Sequence, residues 1–130
     1  MLRRSLLGGT AALPLVGTAR AQQQTWPSKP IRLVVGYSPG GGNDLIARIV
    51  AAKLQEKLGQ PVLVDNKPGA QSIVAAEMVA KAPSDGYTLL VAPSGSMTIN
   101  PVVYAKLGYS PQRDFSPISL RRIEIGRAHV

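Results

Sequence analysis

The chain has 130 residues, 45% of them hydrophobic and 17% charged, which is enough apolar side chain for the core of one domain. It contains no cysteine, which excludes disulfides and thiolate chemistry but leaves the compartment open, since an exported protein need not contain cysteine. The formal charge of +8 falls to +5, twelve Lys and Arg against seven Asp and Glu, when Arg3, Arg4 and Arg20 are set aside with a removable leader; the twelve are scattered without interleaved aromatics, which argues against nucleic acid as a partner.

Residues 1–21 read as an export signal. Arg3 and Arg4 form a charged start, Leu6 to Val16 is a short apolar stretch, and Ala19-Arg20-Ala21 places small residues where a signal peptidase needs them, with cleavage expected after Ala21. The stretch is too short to span a membrane. The arginine pair also suits a twin-arginine signal, so the export route stays open, as does the alternative of an organellar presequence or a disordered N-terminus.

A first strand is expected over Ile31 to Gly36. Its centre, Leu33-Val34-Val35, does not alternate with polar residues, as suits a parallel strand covered on both faces. Tyr37 to Asn43 follows as a loop containing Pro39-Gly40-Gly41-Gly42. Consecutive glycines let a ligand approach the main chain without meeting a Cβ, and the next helix aims its unpaired N–H groups and positive dipole end into the loop, so this is a place to hold an anion. A Cβ added at Gly41 is expected to obstruct that approach or to force an unfavourable φ.

That helix is predicted from about Asp44 to Leu58, with Leu45, Ile46, Ile49, Val50, Leu54 and Leu58 on its buried face and Arg48 among the residues turned away. Gly59 stops it and Pro61 blocks continuation. Val62 to Asp65 is the second strand, Asn66 to Gln71 a turn, and a second helix is expected from about Ser72 to Ala82, capped by the Ser72 hydroxyl and burying Ile73, Val74, Met78 and Val79. Asp85-Gly86 turns the chain into a third strand, Tyr87 to Val91, with a loop over Ala92 to Thr98. The order βαβαβ predicts an α/β fold, a parallel sheet with flanking helices. Its three strand-following loops then open at one edge, where ligands of such sheets sit.

Two other function classes are weighed on the same residues. A dinucleotide fold wants a third glycine after Gly40-Gly41-Gly42, and Leu45 stands where it would be, although Asp65 at the end of strand 2 mimics a ribose-binding acid. No Walker lysine and no nucleophile elbow around Ser94 or Ser96 appears, and the only histidine is His129, so an enzyme finds no catalytic set. Asp44 alone beside the loop suits dipole complementation better than catalysis. The remaining alternative is a structural module with no ligand, the glycine loop being a plain turn.

The runs SKPIRLVVGYSPGGGNDLIAR, LGQPVLVDNKPGA, DGYTLLVA and NPVVYAKLGYSPQRDFSPIS, in this order over about Trp26 to Ser119, resemble the periplasmic receptors of tripartite tricarboxylate transporters, the Bug family of solute-binding proteins. The resemblance implies the first part of lobe 1 of a two-lobe binding protein that closes on a small carboxylate or related polar solute and delivers it to membrane permease subunits, with no cofactor, no metal and no catalysis. Carried over residue by residue, it implicates Tyr37, Ser38, Gly40, Gly41, Gly42 and Asp44 in the first loop, Gly69 and Ala70 in the second, and Ser94 and Ser96 in the third. The sequence departs from the family where Gln71 and Ser72 replace further glycine after Gly69-Ala70, and where Ala75 stands at a common glycine. Side chains are expected to replace close backbone approach there.

Family members are considerably longer, so residues 22–123 read as a partial first lobe that binds ligand weakly or not at all by itself. The last residues, 124–130, read as a non-native tail: Ile125-Gly126-Arg127-Ala128-His129-Val130 is what a common sequencing-adapter string encodes, and the preceding adapter bases admit Glu124. A natural basic tail is the alternative.

Overall fold

In a computed structural model, residues 25–120 are described; the stretches read above as an export signal and a non-native tail lie outside them. The sheet has three parallel strands in the order β2-β1-β3, with β1 (Ile31–Val35) in the centre, β2 (Val62–Asn66) on one side and β3 (Thr88–Val91) on the other. Leu33 sits opposite Val64 and Leu89, so the apolar centres of the three strands lie in register. This confirms the predicted α/β class and its parallel sheet.

Helix α1 (Gly42–Leu58) joins β1 to β2 and packs on that pair, while α2 (Ile73–Ala80) returns from β2 to β3 and packs on β3 and β1. The core between sheet and α1 is built from Ile31, Leu33, Ala51 and Val62, with Val50, Leu54, Leu58, Val64, Leu89 and Val91 packed around them. Each fully buried Ile, Leu or Val there contributes about 1.5–3 kcal/mol of hydrophobic stabilisation. Central β1 is covered on both faces, as its unbroken apolar run requires: Val34, pleated away from Leu33, is fully buried together with Ala75 and Ala76 of α2.

Several predicted boundaries and faces are corrected. Helix α1 begins at Gly42, two residues early, and ends where predicted, with Gly59 left-handed (φ 66°) and its N–H bonded to the Gln55 carbonyl. Its buried stripe is Asp44, Ala47 and Ala51, flanked by Val50, Leu54 and Leu58, and Leu45 is 61% exposed and Ile49 also outward. Small residues let the helix axis approach the sheet, and a three-stranded sheet covers less than the full apolar stripe. Helix α2 likewise buries Ala75 and Ala76, leaves Ile73, Met78 and Val79 half-buried and turns Val74 outward. It stops at Ala80 rather than Ala82, and β3 begins at Thr88 with the Tyr87 carbonyl accepting from the Arg32 N–H.

Ser72 is not a cap. It lies in a single 3-10 turn (Ala70–Ser72), adopts a left-handed backbone (φ 72°), and makes no capping hydrogen bond. A helix cap needs an extended backbone to aim its oxygen at the first-turn N–H groups, and this conformation aims it elsewhere.

After β3 the expected loop is mostly helical. Pro93 leads into α3 (Ser94–Thr98), then come α4 (Asn100–Val103) and α5 (Pro111–Asp114). This segment folds back on itself, with the Tyr109 hydroxyl donating to the Ser96 carbonyl, and on α2, with the Gly108 N–H donating to Glu77. At the opposite end of the sheet, Lys29 bonds Asp85 at 3.2 Å and lies 4.3 Å from the Tyr87 ring centre, tying the entry segment to the sheet.

Candidate functional site

The three strand-following segments meet at the C-terminal edge of the sheet. Residues Gly36 to Gly41 leave β1, the turn after β2 crosses the end of β1 on its way to α2, and Ala92-Pro93 leaves β3 into α3. Helices α1 and α2 leave on opposite sides of β1, so the edge above β1 is the point where connections diverge and a crevice can form.

The first loop is built around Asp44. Its carboxylate is 3% exposed and accepts three hydrogen bonds: the Gly40 N–H at 2.9 Å and Arg48 Nε at 2.9 Å on one oxygen, and Asn66 Nδ2 at 2.9 Å on the other. Asn66 also donates to the Tyr37 carbonyl at 3.0 Å, so the end of β2 grips both ends of the glycine loop. The bond from Arg48, then those from Gly40 and Asn66, hold the Asp44 carboxyl down at about 2, below its ordinary 3.8. The same contact raises the pKa of Arg48. Asp44 is therefore ionised and paired within its own loop, which it holds in shape.

This clamp leaves the main chain available. Gly41 is the N-cap residue and lends no side chain to α1, so the N–H groups of Gly42, Asn43 and Asp44 have no intrahelical acceptor. Arg48 neutralises Asp44, so the helix start keeps its attraction for an anion. Gly40 takes φ 88°, a left-handed turn that favours glycine. Gly41 does not: its φ of −79° is open to any residue, and an added Cβ would come no nearer than 3.7 Å to the Ser38 carbonyl. An unfavourable φ at Gly41, one of the two expected effects, is thus ruled out and obstruction alone remains.

The other predicted residues divide. Tyr37, Ser38, Gly40, Gly41 and Gly42 are exposed on the first loop, Gly69 and Ala70 on the second, and Ser94 at the start of α3. Ser96 is 1% exposed; its hydroxyl donates to the Pro93 carbonyl at 2.8 Å, so it secures α3 instead of facing the edge. Sequence reasoning passed over Arg48, Asn66, Asn100 and Tyr109, which hold these loops. The four-residue spacing of Asp44 and Arg48 on one helix was a signal for the first of them.

Asp65, the ribose-acid candidate, is not free for a ribose. Burial works to raise its pKa, but bonds from Arg32 and Lys67 outweigh it and the carboxyl lies below its usual range. Among the described residues, no group of three His, Cys, Asp or Glu is arranged to hold a metal ion, and no helix is long and apolar enough to cross a membrane. An open groove between α1 and the outer edge of β2, lined by Arg48, Ala51, Gln55 and Val62 to Val64, lies on the flank of the sheet and not at its C-terminal edge.

A family profile described as "Tripartite tricarboxylate transporter family receptor" matches residues 46–125. The chain belongs to this receptor family. A UPF0065 protein of Pseudomonas sp. (strain P51) is 42% identical over 119 residues, covering 91% of this chain and 35% of that protein. Among solved structures, MatC from Rhodopseudomonas palustris with bound malate superposes with a TM-score of 0.68 at 37% identity, over 71% of this chain and 31% of that one. An R. palustris protein with adipate gives 0.64 at 41% identity, over 67% of this chain and 29% of that one. The chain spans about a third of the length of the curated relatives it matches. The family and its solved members, BugD among them, are periplasmic binding proteins, which agrees with the resemblance read from the sequence.

Proposed function

We propose that this chain supplies one wall of a periplasmic receptor that captures a small carboxylate or related polar solute and hands it to membrane permease subunits. The observation that carries the reading is the glycine loop, drawn taut by Asp44 and Asn66 so that the free N–H groups at the start of α1 face the divergent edge of the sheet. The malate and adipate in the two solved relatives support a carboxylate as the ligand class. Tyr37, Ser38, Gly40, Gly41, Gly42, Gly69, Ala70 and Ser94 line the wall, with Asp44 and Ser96 holding it. Residues 1–21 act as the export signal, residues 22–123 as the first part of lobe 1 and residues 124–130 as a foreign tail. The protein binds and releases its solute without chemical change.

Calorimetric titration of the receptor, extended to the length of its relatives, with a panel of dicarboxylates, tricarboxylates and amino acids tests this. The decisive variant is Gly41→Ala, which the backbone accommodates. It should melt like the parent and bind about tenfold more weakly, because the new Cβ keeps the acid group off the helix start. Unchanged affinity would place the acid group elsewhere. Stabilisation by a dinucleotide and by no carboxylate would favour the nucleotide-binding alternative, and binding of neither class would favour a structural module.

A further inference from the structure

The turn between β2 and α2 is held in a conformation its residues disfavour. Ala70, Gln71 and Ser72 take φ values of 42°, 53° and 72°, three consecutive non-glycine residues in the left-handed region. Each such residue is disfavoured against its right-handed form, and strain of this kind persists only where surrounding structure over-determines it. Here the surroundings are identifiable. Asn100, buried in α4, donates from Nδ2 to the Gln71 carbonyl at 3.2 Å, the Ser72 N–H bonds the Gly69 carbonyl at 2.9 Å, and the Ser72 side chain is wedged against Gly36 at the end of β1.

The side chains return nothing for that strain within the described residues. Ser72 Oγ is buried with no hydrogen-bond partner. Gln71 is exposed, and its carboxamide makes no hydrogen bond among the described residues. Glycine at position 71 would relax the backbone and forfeit no side-chain hydrogen bond among the described residues. The turn lies across the end of β1, between the glycine loop and α3, so residue 71 stands on the wall of the proposed cleft.

We propose that Gln71 is a specificity-determining residue, whose carboxamide hydrogen-bonds a second polar group of the ligand while the glycine loop holds its carboxylate. A carboxamide donates to a carboxylate and accepts from a hydroxyl or amine, without adding charge. The ligand class is therefore a difunctional acid, carrying a second carboxylate, hydroxyl or amino group, preferred over a monocarboxylate of equal length. Asn100 is the positioning residue that fixes the carbonyl of this turn. This rests on the carboxylate-receptor reading above.

The test uses the receptor at full length with malate, succinate and butyrate as probes, measuring affinity and melting temperature for the parent, Gln71→Gly and Gln71→Glu. Gln71→Gly should melt a few degrees higher, bind malate and succinate at least tenfold more weakly, and bind butyrate as before. Gln71→Glu, which sets a like charge against the second carboxylate, should weaken succinate more than butyrate. A Gln71→Gly protein that melts higher and keeps its malate affinity overturns the proposal, as does equal weakening for all three acids, which would mean a displaced turn and not a lost contact. If the parent takes up none of the three, this proposal falls, and if it also takes up no member of the wider panel of dicarboxylates, tricarboxylates and amino acids, the carboxylate reading falls with it; if the parent binds malate and the variant binds it equally well, only this proposal falls.

Discussion

Gly36→Ala should be among the most damaging single substitutions in this chain, although it adds one methyl group to a residue outside the glycine loop. The new Cβ would lie 1.8 Å from Ser72 Oγ, 2.3 Å from Ser72 Cβ and 2.7 Å from Ser72 Cα. A rotamer change removes the first contact and leaves the other two, since Cβ and Cα move only with the backbone. The backbone in question is the strained turn, pinned by Asn100 on its far side. Overpacking of a closed site costs about 1–3 kcal/mol, and contact with main chain puts this case at or above the upper end. That is a large share of the roughly 5–15 kcal/mol by which a domain is stable. Chemical denaturation should show the loss, with Gly42→Ala, whose Cβ would meet nothing within 4 Å, as a control that stays close to the parent. Ser72→Gly removes a left-handed side chain and an unpartnered buried hydroxyl, so it should stabilise by about 1 kcal/mol. In the double variant it should recover part of the Gly36→Ala loss, and strict additivity of the two changes would show that they do not touch.

The contrast between Gly36 and Gly41 shows what a sequence discloses. The triple glycine announced the tight turn from β1 into α1 because local backbone demands leave a compositional mark, and Gly59 ended α1 where expected for the same reason: its left-handed backbone is set by the helix it closes. The strands, their parallel pairing and the common loop edge also followed from local pattern and chain order. Gly36 carried no such mark, since its need for a bare Cα comes from Ser72, far along the chain.

Where the reading failed, the deciding partner was distant or lay outside the sheet. Ser72 looked like a cap by composition, and only Asn100, 29 residues beyond Gln71, fixes the carbonyl of the turn that makes capping impossible. The stripe of α1 was read from the periodicity of large apolar residues, but the sheet selects Ala47 and Ala51 because they allow close approach, and Leu45 and Ile49 are left facing away from it. Ser96 was read as a contact by analogy of position, and its burial became visible only with Tyr109 packed over α3. Asp44 stood out beside the glycine loop, yet the three bonds it accepts are legible only with Asn66, 22 residues away, in place.

Asp44→Asn should cost the receptor both affinity and a defined part of its acid stability. The substitution keeps the shape and exchanges one acceptor oxygen for an NH2 group. Because the carboxylate accepts from Gly40 and Arg48 on one oxygen and from Asn66 on the other, either orientation of the new amide sets a donor against a donor. Asn66 can relieve one of these clashes only by flipping its own amide, which gives up the bond to the Tyr37 carbonyl. Either way the glycine loop loses an anchor, and solute affinity should fall by about tenfold or more. The pH dependence separates charge from shape. The Asp44 pKa is depressed in the folded protein, from 3.8 to about 2, so its contribution to stability is present above 3.8 and is lost as the pH falls through about 2. Asp65 and Asp85 are shifted in the same direction, but both are intact in parent and variant and cancel in the comparison. Melting temperatures measured from neutral pH down to about 2 should therefore show a gap between parent and Asp44→Asn that is widest near neutrality and narrows as the parent carboxylate is protonated. A gap of constant width down the whole range would mean that the loop depends on the shape of residue 44 and not on its charge, and the electrostatic account of the clamp would fail.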